Sequence, residues 1–283
     1  MAFWHDWSDE KMEGSMSVDR LFIVSRSLTA FCVEIEGKVD PGFEIGWVTA
    51  VKVCLKYGHT LIGKIVVPDM PMMLDDERNM KINWGEGSEP EMEIKSTRAF
   101  KAFLQDVMPK KDVDTQMDSQ YTASADLSVS RNGHTLTISM DPSYMMRMRA
   151  AVTNLRIHGQ EISITMKITN LSSLELQFEY GTFILKKGQQ TVGEVAGGLD
   201  LVPGEFEVNL GGQIQSGISG VVTLKGEHFE DCEESWQQYA IKLFEVEVNL
   251  DELDLDANHG ATVDDDIGDI ADHGEHLLSI RSK

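Results

Sequence analysis

The chain carries Leu55-Lys56-Tyr57-Gly58 followed by Gly63-Lys64-Ile65-Val66, and it repeats this pattern as Leu185-Lys186-Lys187-Gly188 followed by Gly193-Glu194-Val195. In both stretches the two glycines stand the same distance apart, an apolar residue precedes the second glycine, and an alternating run leads in. Self-similarity at a domain-length offset is typical of a tandem duplication. The repeat therefore predicts two copies of one β-module.

Alternating hydrophobicity extends this prediction to the rest of the chain. Residues 20–56 place Phe31, Val33 and Ile35 on one face, and a period of two is typical of half-buried antiparallel strands. Asn132-Gly133 lies between the alternating runs 121–130 and 135–140, which predicts a hairpin. The second copy shows runs at 152–157, 162–168 and 174–180. Many short strands with regular turns indicate a sandwich.

Two short helices are expected among these strands. Ser96 is a good N-cap, and the residues that follow it at helical spacing until Pro109 are Ala99, Phe100, Phe103, Leu104 and Val107. A candidate counterpart in the second half has Ser235 ahead of an apolar face formed by Trp236, Tyr239, Ala240 and Leu243. Its end stays open, because residues 244–250 alternate as a strand does.

The predicted fold is therefore mainly β. It consists of two tandem antiparallel immunoglobulin-like β-sandwich modules, each with a short helix, and a disordered acidic C-terminal tail. The predicted boundaries are 1–19 for a flexible N-terminus, 20–148 and 149–250 for the two modules, and 251–283 for the tail.

The strongly negative net charge of the chain disfavours some classes of binding partner. The chain has 47 acidic and 25 basic residues and a formal net charge of -22, which disfavours nucleic acid and bare anionic lipid. Residues 251–283 are especially acidic and have few apolar side chains, so they are expected to be solvated. The sequence contains no apolar run long enough for a transmembrane segment, and its first residues do not match a signal peptide. We therefore expect the chain to begin in an aqueous compartment.

Several turns and strands together resemble a known family. The stretch Ile168-Thr169-Asn170-Leu171-Ser172-Ser173-Leu174-Glu175-Leu176 is followed by Phe183-Ile184-Leu185, then Val192-Gly193-Glu194-Val195, then Leu201-Val202-Pro203-Gly204. The first copy has the similar Leu61-Ile62-Gly63 and Val67-Pro68. This order resembles a widespread fungal domain of unknown function, related in shape to the late-embryogenesis-abundant (LEA) type 2 sandwich.

The resemblance implies a vacuolar-membrane-associated, non-enzymatic protein without catalytic residues, and it covers roughly residues 20–250. Members of that family generally place a transmembrane helix before the modules, and this sequence has none there. Association with the vacuolar membrane follows from the resemblance, whereas a cytoplasmic or soluble location follows from the sequence alone. Both expectations are open at this point.

The acidic tail holds the main candidate for metal binding. Asp254, Asp256 and Asn258 have the spacing of the first three oxygen ligands of a calcium loop, and Asp265 stands at its twelfth position. His259 replaces the glycine that the sharp turn requires, so a solvated tail is the favoured alternative. A second candidate is the pair His273 and His276, which Gly274 separates. Neither candidate implies a cofactor.

Other motifs point to structure rather than chemistry. Cys32 and Cys54 lie in alternating runs and are expected to be buried thiols, with a Cys32–Cys54 bridge as the alternative in an oxidising compartment, and Cys232 is left over. Gly197-Gly198 and Gly211-Gly212 are predicted to form β-turns. The Asn170-Leu171-Ser172 sequon predicts a tight turn, with glycosylation as the alternative.

No nucleophile elbow or reactive cysteine motif occurs, so no catalytic residue is predicted. The favoured function is a non-enzymatic structural or interaction protein that offers an apolar groove to lipid or an open sheet edge to a protein partner. Trp4, Trp7 and Trp47 are the aromatic residues singled out for an exposed patch. The alternatives are a calcium-responsive binding protein that uses the tail and an enzyme whose site is assembled only in three dimensions.

Overall fold

The computed structural model describes residues 12–25, 27–39, 46–72, 79–82, 91–110, 123–131, 134–141, 147–178, 180–230 and 235–251. Within these ranges the chain forms strands and two helices. In chain order the elements are β1 (Met12–Ser25), β2 (Ala30–Val39), β3 (Gly46–Tyr57), β4 (Thr60–Met72), β5 (Asn79–Ile82), β6 (Met92–Ile94), α1 (Thr97–Val107), β7 (Ala123–Arg131), β8 (His134–Asp141), β9 (Arg149–His158), β10 (Glu161–Asn170), β11 (Leu174–Gln177), β12 (Tyr180–Lys187), β13 (Gln190–Gly198), β14 (Gly204–Ile214), β15 (Val221–Phe229), α2 (Gln237–Ile241) and β16 (Glu245–Asn249).

Each copy of the repeated motif forms the same β-hairpin. Leu55 pairs with Gly63 in the hairpin of β3 and β4, and Leu185 pairs with Gly193 in the hairpin of β12 and β13. In both hairpins the register shifts directly after the leucine, so that one extra residue bulges out before the second glycine. The first glycine has a positive φ in both turns, 58° at Gly58 and 62° at Gly188.

The order of strands is also the same in the two sheets. Sheet one contains the series β8-β7-β3-β4-β6-β2-β1, and sheet two is the series β16-β15-β12-β13-β14-β10-β9. Neighbouring strands are antiparallel throughout both series. β3 lies between β7 and β4 in sheet one, and β12 lies between the equivalent strands β15 and β13 in sheet two.

Sheet one has pairings that sheet two does not repeat. Residues Met12–Ser17 of β1 pair in parallel with β8, and Leu21–Val24 pair in parallel with β11, which comes from the second half of the chain. β5 adds a further antiparallel strand beside β2. β1 also begins at Met12, so residues 12–19 belong to a strand rather than to the predicted flexible N-terminus. Inward-facing Met16 and Val18 explain why the strand extends that far.

The first predicted helix is confirmed and the second only in part. The side chain of Ser96 accepts a hydrogen bond from the Ala99 N–H, and the five apolar residues predicted to share a face are buried. α2 spans only Gln237–Ile241, and residues 245–249 continue as a strand. α1 precedes β7, whereas α2 follows β15, so the two helices do not occupy equivalent places in the two sheets.

Glycine pairs inside two strands correct a prediction. Gly197-Gly198 lies in β13 and Gly211-Gly212 lies in β14, so neither pair forms a turn. A Cβ on Gly212 would stand 2.1 Å from the carbonyl oxygen of Glu194, and one on Gly197 would stand 2.4 Å from that of Asn209. The absent side chains let β13 and β14 approach closely.

The molecule is mainly β, with two sheets in a sandwich-like arrangement, as the sequence predicted. Buried residues of both sheets and of both helices form one continuous hydrophobic cluster. Its largest fully buried side chains are Phe31, Phe100, Phe103, Phe183, Phe229 and Phe244. The interpretation as tandem modules divided at residue 148 stays a prediction, and the acidic tail lies outside the described residues.

Candidate functional site

The main polar cluster connects the two halves of the chain at β1 and β11. Arg20 Nε donates to one carboxylate oxygen of Glu175 at 2.6 Å, and Nη2 donates to the other at 3.0 Å. Parallel pairing of β1 with β11 places both side chains on the same face, and the guanidinium of Arg20 also lies over the ring of Phe22 at 4.5 Å. This bidentate geometry, with two parallel hydrogen bonds, is the strongest form of an arginine–carboxylate ion pair.

Arg20 faces more negative charge than it can neutralise. Its Nη1 lies 3.5 Å from a carboxylate oxygen of Glu34 and 3.4 Å from one of Glu36, both on β2. The hydrogen bond to Glu175 raises the pKa of Arg20, and the charges of all three carboxylates add to this against the opposing effect of burial. The guanidinium is therefore a fixed positive charge that keeps three glutamates together.

On its other side, β11 is held by the loop between β13 and β14. Leu176 and Leu201 exchange two backbone hydrogen bonds, at 2.9 and 3.0 Å. Asp200 accepts a hydrogen bond from the Phe178 N–H at 3.0 Å. Desolvation raises the pKa of Asp200, the Phe178 N–H opposes this rise, and the charge of Glu175 adds to it. β11 is thus fastened along both of its edges.

The turn that leads into β11 is built around Asn170. This side chain is 1% exposed, and its amide nitrogen donates to the carbonyl oxygens of Leu174 at 2.7 Å and Val202 at 3.1 Å. Its amide oxygen accepts from both the backbone N–H and the hydroxyl of Ser172. Since both amide hydrogens are used, the sequon forms the predicted tight turn, with Asn170 buried inside it.

Aromatic side chains complete the contact between the halves. Trp236 meets the ring of Phe100 edge-on at 5.1 Å and that of Phe178 at 6.0 Å. Beside them, the hydroxyls of Ser25 and Ser235 lie 2.9 Å apart. On the surface, Lys101 of α1 lies over the ring of Tyr239. A continuous apolar contact therefore joins α1 to the segment that precedes α2.

β9 forms the second surface of interest, because it is the last strand of sheet two. It pairs with β10 and, in the part of the chain that the structure describes, with no other strand. It carries a bulge at Thr153, after which Leu155 is buried, Ile157 is half-buried and Arg156 is exposed. β16 contacts β9 without pairing with it, and Arg149 and Asn154 of β9 take part in further interactions. Residues 155–158 are the part of the strand that presents the backbone N–H and C=O groups of a sheet edge.

The metal candidates predicted from the sequence fall outside the described residues. This applies to Asp254, Asp256, Asn258 and Asp265, and also to His273 and His276. Among the described residues there is no cluster of three or more His, Cys, Asp or Glu side chains that could hold a metal ion. The calcium hypothesis therefore stays a prediction.

The other singled-out residues have structural positions where they are described. Cys32 is buried, Cys54 is partly buried, and neither forms a disulfide. β4 and β6 separate their strands, which places the two cysteines too far apart for the alternative disulfide. Trp47 lies in β3, whereas Trp4, Trp7 and Cys232 lie outside the described residues.

Sequence reasoning missed the Arg20–Glu175 pair. The two residues are 155 positions apart, and each stands alone in an otherwise ordinary alternating run. Only the parallel pairing of β1 with β11 brings them together. The sequence does place Glu34 and Glu36 on one face of a predicted strand and Arg20 on the strand before it. Without the order of strands in the sheet, this pattern also fits three solvated side chains.

Comparison with known proteins does not assign a family. No family model and no curated protein matches the chain. Among solved structures, red sea bream transglutaminase is 12% identical over 82% of this chain and 31% of its own, with a TM-score of 0.23. Titin domains I67–I69 are 8% identical over 81% of this chain and 62% of their own, with a TM-score of 0.20. The chain thus spans about a third of the length of the transglutaminase.

The helices in the described parts of the chain are too short or too polar to cross a membrane. α1, the longer of the two, has 11 residues and an exposed polar face.

Proposed function

We propose that this chain is a non-enzymatic interaction protein, a rigid two-sheet scaffold that holds a protein partner on a strand edge. The observation that carries the proposal is that buried polar side chains form hydrogen bonds to the backbone. Asn170 directs its amide to backbone carbonyls, and Gln237 donates to the carbonyl oxygen of Gln177 at 2.8 Å. These groups fix strands and turns, and they thereby hold the surface in one shape.

We also propose that the two sheets are tandem immunoglobulin-like modules, similar to LEA type 2 sandwiches, that arose by duplication. Three shared features support this proposal: the order of strands, the bulged hairpins at Gly63 and Gly193, and the positive φ at Gly58 and Gly188. Attachment to a vacuolar membrane through a partner is proposed from the resemblance of the sequence alone.

Site-specific photo-crosslinking in cells tests the interaction role. A benzophenone amino acid replaces one exposed residue at a time on different surfaces, namely Val66, Arg156, Tyr180 and Val221, and the fully buried Phe183 serves as the control. An interaction protein should give an adduct of discrete mass from one surface and none from Phe183. If no exposed position gives a discrete adduct, the proposed function is wrong.

A further inference from the structure

β9 is the counterpart of β1, and the match holds residue by residue. The pairing of β1 with β2 shifts at Asp19, and the pairing of β9 with β10 shifts at Thr153. Counting from these bulges, Leu21 corresponds to Leu155. Both leucines are 2% exposed, and both pair with an isoleucine of the neighbouring strand, Ile35 and Ile164 respectively.

The outer edges of the two strands nevertheless differ. Along Leu21–Val24, β1 receives β11 as a parallel partner, and the Leu21 N–H donates to the carbonyl oxygen of Ser173 at 2.8 Å. The corresponding segment of β9, residues 155–158, pairs only with β10 among the described residues. The exposure of the third side chain reflects this, because Ile23 is 0% exposed while its counterpart Ile157 is only half-buried.

We propose that residues 155–158 of β9 bind an extended segment of a partner protein, aligned parallel to β9, in which an acidic residue stands between two apolar ones. The proposal rests on the interaction role inferred above and names the site and the chemistry of the partner. β11 supplies the precedent, since its Leu174-Glu175-Leu176 fills the equivalent edge of β1 with both leucines buried. Strand addition of this kind obtains affinity from backbone hydrogen bonds and specificity from alternate side chains.

The positive charge of Arg156 favours an acidic residue in the middle of the partner segment. Arg156 corresponds to Phe22, which pairs directly with Glu175, so the middle residue of an incoming segment would lie beside Arg156. Arg156 is exposed and has no ion pair within the described ranges, whereas His158, the next residue on that face, pairs across the strands with Glu161 of β10. Arg156 would therefore attract a carboxylate that stands between the two apolar anchors, and this local attraction acts against the net charge of -22 of the whole chain.

The same charge argues against a second copy of this chain as the occupant. Two β9 edges that paired with each other would bring the guanidinium of Arg156 of one copy close to that of the other. Like charges on neighbouring strands destabilise the pairing. Basic side chains and a bulge are common protection against edge-to-edge association.

Peptide binding tests the proposal on the full chain. The probe is a capped, fluorescent peptide with the sequence Ser-Ser-Leu-Glu-Leu-Gln-Phe, and its partner peptide has Lys in place of Glu. We expect the acidic peptide to bind the natural chain about fivefold more tightly than the basic one, and Arg156→Glu to reverse this preference. Arg98→Glu, the same charge change at an exposed site on α1, should leave the preference unchanged.

Four results would overturn the proposal. These are no binding up to about 1 mM peptide, equal binding of both peptides, an equal effect of the Arg98 and Arg156 variants, and self-association of the chain that Arg156→Glu abolishes. The photo-crosslinking experiment separates this failure from failure of the proposed function. A discrete adduct from Val66 or Val221 without one from Arg156 would keep an interaction role but move it from a strand edge to an inner strand, and it would reject β9 as the site.

Discussion

Replacing Arg20 by methionine removes the charge at the junction of the two halves while keeping a long apolar side chain over Phe22. The expected loss of stability follows from the geometry. Exposed ion pairs contribute about 0.2–1 kcal/mol, and breaking a fully buried pair costs about 3–5 kcal/mol. The side chains of Arg20 and Glu175 are 30% and 19% exposed and are joined by two hydrogen bonds, which places their mutual coupling near 2 kcal/mol.

The two single variants should differ in cost. Arg20→Met leaves Glu34, Glu36 and Glu175 close together without a cation, so we expect it to lower the free energy of unfolding by about 3 kcal/mol. Glu175→Gln keeps an acceptor for the guanidinium and reduces the negative charge around Arg20, so we expect a loss of only about 1.5 kcal/mol. The difference between the two losses combines the attraction of Arg20 to Glu34 and Glu36 with the repulsion among the three glutamates.

Urea unfolding of the natural chain, both single variants and the double variant provides the measurement. Tryptophan fluorescence is a suitable probe because Trp236, which is 4% exposed, lies in the aromatic contact between the halves. A coupling energy below about 0.5 kcal/mol would refute the reasoning, since the pair would then behave like an exposed one. So would a larger loss for Glu175→Gln than for Arg20→Met.

Further predictions concern single positions. Gly193→Ala should cost about 1–3 kcal/mol in urea unfolding, because its Cβ would meet the Gln213 carbonyl oxygen at 2.7 Å, whereas Gly198→Ala meets nothing within 4 Å and should be neutral. Asp200→Asn should stabilise the chain at pH 7, and this gain should shrink as the pH falls toward 3.8, the ordinary pKa of an aspartate side chain. The pKa of Asp200 is raised in the folded chain, so the folded chain holds the proton more tightly than the unfolded chain and the natural chain loses stability as the pH rises. A gain that grows on acidification would contradict this. Asn170→Asp puts a carboxylate against two carbonyl oxygens and should cost about 3 kcal/mol or more; a loss below about 1 kcal/mol in the same assay would show that the turn does not depend on this amide. Calcium should not change the melting temperature of the full chain, and an increase that is lost on truncation after Leu250 would favour the calcium alternative.

Local signals in the sequence were sufficient for the hairpins and for α1. The bulged hairpin at Gly63 depends on residues close together in the chain, and the N-cap at Ser96 acts within one turn. The parallel pairing of β1 with β11 could not be predicted in this way. It depends on where β10 ends and, within the described ranges, on the absence of another strand beside residues 21–24 of β1 on the side opposite β2. The candidate site belongs to the same class, since Arg156 becomes informative only when β9 is aligned with β1.

The glycine pairs show the opposite error, in which a local rule was applied where a non-local contact decides. Two adjacent glycines commonly mark a turn, and nothing beside Gly211 or Gly212 in the sequence contradicts this reading. In the structure the missing Cβ of Gly212 accommodates the backbone of Glu194 on the next strand. The identity of the neighbouring strand, which sequence periodicity does not supply, determines the role of the glycine.

The arrangement of β10 explains why β11 pairs with β1 and does not cover residues 155–158 of β9. β11 leaves β10 through the Asn170 turn, next to the Arg149 end of β9, where Thr169 pairs with Arg149. The open segment begins at Leu155, whose partner Ile164 is about 20 Å from Asn170 at the strand rise of about 3.3 Å per residue. The hydrogen bonds of Asn170 fix the direction of exit, and Arg20 then holds β11 against β1 through Glu175. A strand that covers residues 155–158 therefore has to come from elsewhere than β11.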